Sequence, residues 1–226
     1  MITSAENKTL KLVRRLGSAR QRDKLGLFVG EGEDLVDAAR AAGVEPVELL
    51  VAGENVEPAL LADVSTLGHP PRVIGIFRRG DLPRGEVPAA GLALWRVGDP
   101  GNVGTLIRTA DALGPAFVAL SEACADPTGP KAVRASMGAL FRVPLLEFDD
   151  APRPWAGLVP RGGTPLAGVS GSTFVLGAER DGLPADVLAR CDERVTISLA
   201  DGAESLNVAA AGAIALYERA RRRATS

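Results

Sequence analysis

Three stretches of this 226-residue chain join polar side chains to glycine-rich turns in patterns that could do chemistry. The first is GDPGNVGTLIRTADALG, residues 98–114, where an apolar run enters a Gly/Pro turn and then a helical pattern. Glycines at 98, 101 and 104 invite comparison with the dinucleotide fingerprint, but the spacing is GxxGxxG rather than GxGxxG, so that match fails. Asn102 stands where a helix N-cap would fall. Arg108 lies six residues further, nearly two turns along a helix whose other face is apolar. The second stretch is FVLGAERDGL, residues 174–183. A short strand ends at Gly177, whose missing Cβ lets a ligand come close to the backbone, and Glu179 follows in a charged turn. The third is RVTISLADGAESLNVAAAGAIALYERARRR, residues 194–223. A strand leads through a polar loop to Ser205, Leu206 and Asn207, which open a long helix of small residues, with Ser205 as a candidate N-cap.

Other chemistries find little support. The only histidine is His69 and the only cysteines are Cys124 and Cys191, outside any CxxC, so no zinc site is expected and both thiols read as buried and reduced. No apolar stretch reaches the ~20 residues of a membrane span, and the N-terminus carries no apolar leader, which points to a cytoplasmic protein. The net charge of −2 does not announce a nucleic-acid partner. The charge is uneven, however. Lys8, Lys11, Arg14, Arg15, Arg20, Arg22 and Lys24 crowd one segment against Asp23, reading either as a solvated helix face or as a phosphate-binding surface.

The elements that must position these residues follow from periodicity. Thr3 to Glu6 has capping-box spacing, with Leu10, Val13 and Leu16 at helical intervals after it. A helix is expected over 33–42, ended by Gly43, and strands over 47–51 and 72–77. The segment RRGDLPRGEVPAA, 78–90, reads as a linker, which divides the chain into units of 1–83 and 88–226. Beyond it strands over 92–97, 116–120, 174–176 and 194–199 alternate with helices over 103–113, 131–140, 184–190 and 205–223. That alternation predicts an α/β domain with a mostly parallel sheet whose ligands sit at the carboxyl ends of the strands. Residues 151–172, rich in Pro and Gly, read as an irregular loop.

Taken together and in order, NVGTLIR preceded by Pro100, LGAERDGL, and SLNVAAA before a Tyr-Glu-Arg ending resemble the SpoU/TrmH class of SPOUT RNA 2′-O-ribose methyltransferases. PKAVRASMGALFRVPL, 130–145, resembles the segment this class carries between the first two motifs. The likeness spans about 92–223, and LGLFVGEGEDLVDAA looks like part of the ribosomal-protein-like substrate-binding domain that precedes many such catalytic domains. The family often has Pro where this chain has Ser198 and Gly where it has Arg180, but no polar residue of the motifs is lost.

This resemblance implies a trefoil-knotted, mostly parallel catalytic domain behind a small α/β domain, a homodimer, and S-adenosylmethionine as methyl donor without a metal. It implies catalytic roles for Asn102, Arg108, Glu179, Ser205 and Asn207, and cofactor contacts at Gly177, Ile197, Leu199 and Leu206. Lys8, Lys11, Arg14, Arg22, Lys131 and Arg134 become candidates for RNA contact. Arg108 has been read as the base in this class, yet a guanidinium with pKa above about 12 suits orientation and phosphate clamping better. Ribosomal RNA is the expected substrate, with transfer RNA second. A non-catalytic RNA-binding protein of the same fold and an unrelated nucleotide-binding α/β enzyme are the alternatives; the intact motifs argue against the former and the failed fingerprint against the latter.

Overall fold

A computed structural model describes residues 1–169 and 171–225. The N-terminal segment forms two helices, α1 (Lys8–Leu16) and α2 (Ala19–Leu25). Asn7, not the expected Thr3, caps α1 by accepting from the Thr9 amide at 2.8 Å. Gly26, at φ +63°, ends α2 and turns the chain into β1 (Leu27–Glu31). After α3 (Glu33–Ala41) come β2 (Glu48–Val51), α4 (Pro58–Val64) and β3 (Val73–Arg78). The three strands form an antiparallel sheet in the order β1-β3-β2.

Past an irregular segment the chain builds β4 (Gly91–Leu94), α5 (Pro100–Leu113), β5 (Phe117–Leu120), α6 (Pro130–Ser136), β6 (Leu145–Glu147), β7 (Trp155–Leu158), β8 (Thr164–Pro165), β9 (Thr173–Leu176), α7 (Ala185–Leu188), β10 (Glu193–Thr196) and α8 (Val208–Thr225). The seven strands pair in parallel in the order β6-β5-β4-β9-β7-β10-β8. β4 and β9, side by side at the centre, are buried at every position, as a sheet covered on both faces requires. Glycine lets helices approach it and one another. A Cβ on Gly104 of α5 would stand 2.3 Å from the Ala132 carbonyl oxygen of α6. One on Gly212 of α8 would stand 2.3 Å from Leu106 of α5, so the small-residue run of α8 is used within the chain.

Several expected boundaries move. The strand at 92–97 stops at Leu94, because Arg96 adopts φ 56° and turns the chain. The helix over 131–140 breaks at Met137 (φ 49°) and Gly138 (φ 82°) and continues as a 3-10 turn over Ala139–Phe141. Residues 155–158, expected as loop, are the buried strand β7, with Trp155 at 1% exposure. The two sheets share one core. Phe28 and Phe77 of the small sheet meet Phe141 of the larger unit at ring separations of 6.0 and 5.0 Å. Beside them Arg22 and Arg79 both bind the Asp126 carboxylate, at 2.7 and 2.6 Å. Among the described residues no helix is long and apolar enough to cross a membrane.

Candidate active site

The site begins at the amino end of α5. Asp99 caps it, accepting from the Asn102 amide at 3.0 Å, and Pro100 takes the first helical position, where its missing N–H costs nothing. Asn102, expected as the cap, is therefore inside the first turn with its side chain free to reach outward. Lys131 of α6 holds the other Asp99 oxygen at 2.7 Å. That hydrogen bond, with those from the backbone, keeps the Asp99 carboxyl below its ordinary range.

Glu179 arrives from the turn after β9, which Gly182 closes by donating its amide to the Ala178 carbonyl at 2.9 Å. Its carboxylate accepts from the Gly98 and Asp99 amides at 3.3 and 3.2 Å and from the Asn102 side-chain amide at 3.0 Å. Partial burial pushes the Glu179 pKa up, but the hydrogen bonds from Asn102 and the backbone amides outweigh it and the net shift is downward. The carboxylate accepts only, so it turns the Asn102 NH2 toward itself. The Asn102 oxygen then accepts from Asn207 at 3.2 Å. The Asn207 oxygen in turn accepts from the Ala209 and Ala210 amides at 2.9 and 3.2 Å, so Asn207 rather than Ser205 caps α8. One ionised group thus orders two amides and two helix ends drawn from three separate parts of the chain.

Next to this network lies a cavity of about 350 Å³ at the carboxyl ends of β7, β9 and β10. Gly177, Ile197, Leu199 and Leu206 all line it, as do Glu179 and Ser205. The size and the mostly aliphatic wall with strand-end backbone suit a nucleoside-sized cofactor such as S-adenosylmethionine. Gly177 has a structural reason for its type. A Cβ there would fall 2.1 Å from the Gly182 backbone, so the chain's own turn needs the space.

Not every expected residue joins the site. Arg108 is exposed on α5, lies outside the cavity lining, and has no hydrogen bond or ion pair among the described residues. Arg22 corrects the RNA-contact reading: at 4% exposure it donates to Asp126 and to the Leu16 and Gly17 carbonyls. Arg134 is half-buried and donates to Thr66 at 2.6 Å, close to Glu31. Lys8 is exposed, while Lys11 pairs with Glu6 and Arg14 with Asp63. Cys124 and Cys191 are free and half-buried rather than fully buried. Two contributors escaped the sequence reading. Asp99 was legible as an Asp-Pro helix start. The cavity wall at Leu158, Val159 and Pro160 lay in the stretch read as loop.

A parallel α/β sheet with a nucleoside-sized cavity at its strand ends, rimmed by a buttressed carboxylate and amide pair, defines a protein built to bind a nucleoside-like cofactor. The family model for the SpoU rRNA methylase family matches residues 90–217. The uncharacterized tRNA/rRNA methyltransferase slr1673 of Synechocystis is 31% identical, over 97% of this chain and 93% of its own. The Bacillus subtilis 23S rRNA (guanosine(2553)-2′-O)-methyltransferase RlmP is 30% identical, over 96% and 97%. The crystal structure of an AdoMet-bound rRNA methyltransferase from Sinorhizobium meliloti superposes with a TM-score of 0.85 at 28% identity, covering 100% of this chain and 98% of that one. This chain belongs to the SpoU rRNA methylase family.

Proposed function

We propose that this protein transfers a methyl group from S-adenosylmethionine to a ribose 2′-hydroxyl of RNA, with ribosomal RNA as the substrate. The observation that carries the proposal is the chain of hydrogen bonds from Asn207 through Asn102 to Glu179 at the rim of the cavity. It joins all three motifs at one place, as a reaction with a single reacting centre demands. The ribosomal substrate rests on likeness to RlmP, a 23S rRNA methyltransferase over nearly the whole chain.

S-adenosylmethionine supplies an already activated methyl carbon, so the protein's work is alignment and handling of one proton. Alignment alone can lower a barrier by roughly 7–11 kcal/mol. Ile197, Leu199 and Leu206 would hold the adenosine by apolar contact, with the backbone at Gly177 offering hydrogen bonds to its edge. Glu179, held ionised, fixes Asn102 and the first turn of α5, while Asn207 locks the start of α8 to the same point. Ser205, on the cavity wall, would hydrogen-bond the incoming hydroxyl. Arg108 stands exposed outside this network, and clamps the phosphate beside the target ribose once RNA is bound. The hydroxyl proton then passes to that phosphate or to solvent rather than to the guanidinium.

The small sheet and its helices serve as the RNA-recognition domain, with Lys8 and the outer face of α1 and α2 toward RNA, in the cytoplasm. The strand order, in which β9 sits against β4 and β10 returns beyond β7, supports a trefoil-knotted C-terminal half. Exposed Ile214 and Tyr217 along α8 support a homodimer through that helix. The decisive experiment follows transfer of labelled methyl from S-adenosylmethionine into ribosomal and transfer RNA that lack their own modifications. Label in a single ribosomal RNA species, reduced at least about 100-fold by Arg108→Ala with cofactor affinity unchanged, is the expected result. Label in transfer RNA alone overturns the substrate, and undiminished turnover in Arg108→Ala overturns its role.

A further inference from the structure

We propose a second binding site, at the opposite end of α8 from the cofactor cavity, that takes a phosphate group. A cavity of about 320 Å³ lies there between the last turns of α8 and a floor of Leu166, Val169 and Phe174. Arg219 and Arg223 form its wall, four residues apart and so on one face of the helix. Neither has a hydrogen-bond or ion-pair partner among the described residues. Glu218 also lines the cavity, but its carboxylate is already engaged, accepting from Arg221 at 2.8 Å and from Arg222 at 3.1 Å. Arg222 also donates to the carbonyls of Leu166 and Val169, which fixes the cavity's edge.

Two like charges at this spacing repel, and a half-buried cation without a partner is disfavoured. The negative end of the helix dipole accounts for arginines gathering near the last turn. It does not account for Arg219 turning into an apolar-floored cavity beside Arg223, where burial and the neighbouring charge both push its pKa down. A bound anion removes both penalties. The planar guanidinium fork matches phosphate oxygens in pairs, and two forks one turn apart can hold one phosphate from two sides. The two cavities share no lining residue, and their nearest ones on α8, Ala211 and Glu218, stand roughly 10 Å apart along the helix, so this site is distinct from the first. The phosphate could be free or part of an RNA strand.

Calorimetric titration with inorganic phosphate tests the site. Saturable binding to the native protein should weaken about ten-fold or more in Arg219→Ala and in Arg223→Ala, with thermal midpoints in phosphate-free buffer unchanged. The charge-matched control Arg84→Ala, on the exposed segment before β4, should bind phosphate as the native protein does. A parallel titration with a ribosomal RNA fragment separates the sources. If RNA is the source, both cavity variants lose RNA affinity, the control does not, and phosphate competes; if RNA affinity is untouched, the site serves free phosphate. Absence of saturable phosphate binding to the native protein, or equal binding by the cavity variants, overturns the proposal.

Discussion

At Glu179, partial burial and a set of donated hydrogen bonds pull the carboxyl in opposite directions, and the hydrogen bonds prevail. A carboxyl whose folded pKa is depressed contributes stability that is complete above its ordinary value of 4.5 and disappears as the pH falls through the folded value. The thermal midpoint should therefore decline below that pH, and Glu179→Gln should remove part of the decline. The same variant withdraws a charged acceptor from the Gly98 and Asp99 amides and from Asn102. Hydrogen bonds to charged groups are worth about 1.5–3 kcal/mol, so affinity for S-adenosylhomocysteine should fall roughly 10- to 100-fold by calorimetry. Unchanged affinity would mean that the carboxylate does not shape the cavity. Residue types in the three motifs were legible from the sequence through their order and spacing, since each stretch alone is a weak signal and other glycines of the chain also stand beside polar side chains. Their partners were not legible. Asn102 looked like a cap because caps favour Asn, yet Asp99 three residues earlier was the better candidate, and only the fold shows which carboxylate meets which amide.

The element most exposed to a small change is α5, clasped by α6 on one side and α8 on the other. In Gly104→Ala the added methyl meets backbone of α6, 2.3 Å away, and the Ala135 side chain at 2.6 Å. Overpacking of this kind costs about 1–3 kcal/mol or more, exceeding the ~1 kcal/mol that Ala gains over Gly in helix propensity. The urea midpoint should fall, and because α6 carries Lys131, its grip on Asp99 should loosen as well. A variant as stable as the native protein would show that the two helices can slide apart freely. Elements with strong periodicity, such as α3, α5 and the body of α8, were readable within a few residues. Those missed share a physical cause. β7 reads Trp-Ala-Gly-Leu, poor in β-branched residues and preceded by Pro, and becomes a strand only because parallel neighbours on both sides complete its hydrogen bonds. β1 lies between Gly26 and Gly32 and is defined by its antiparallel partner β3.

For the whole molecule, composition suggested two units joined by a linker, and the packing ties them more tightly than a linker implies. Phe28, Phe77 and Phe141 form one aromatic cluster across the two sheets, each at most 2% exposed. Arg22, Asp126 and Arg79 form an ion cluster beside it. No local pattern encodes contacts between residues more than a hundred positions apart, such as Arg22 and Asp126, so this junction was invisible in the sequence. Unfolding should be a single transition by two probes, one on each sheet. Phe141→Ala should lower stability by about 3–5 kcal/mol while keeping that single transition. Two separated transitions in the native protein would mean the units are coupled only by the chain.

The contact between Asn102 and Asn207 closes a loop of 105 residues. At a synthesis rate of about 5–20 residues per second, Asn102 waits roughly 5–20 s for its partner to be made. Through that interval the nascent chain can fold its small sheet and lay down β4, α5 and β5, yet it has no place to hold a methyl donor. Catalytic competence therefore arrives late and all at once, and a message truncated before codon 207 yields a polypeptide that carries the first two motifs without the amide that locks them together.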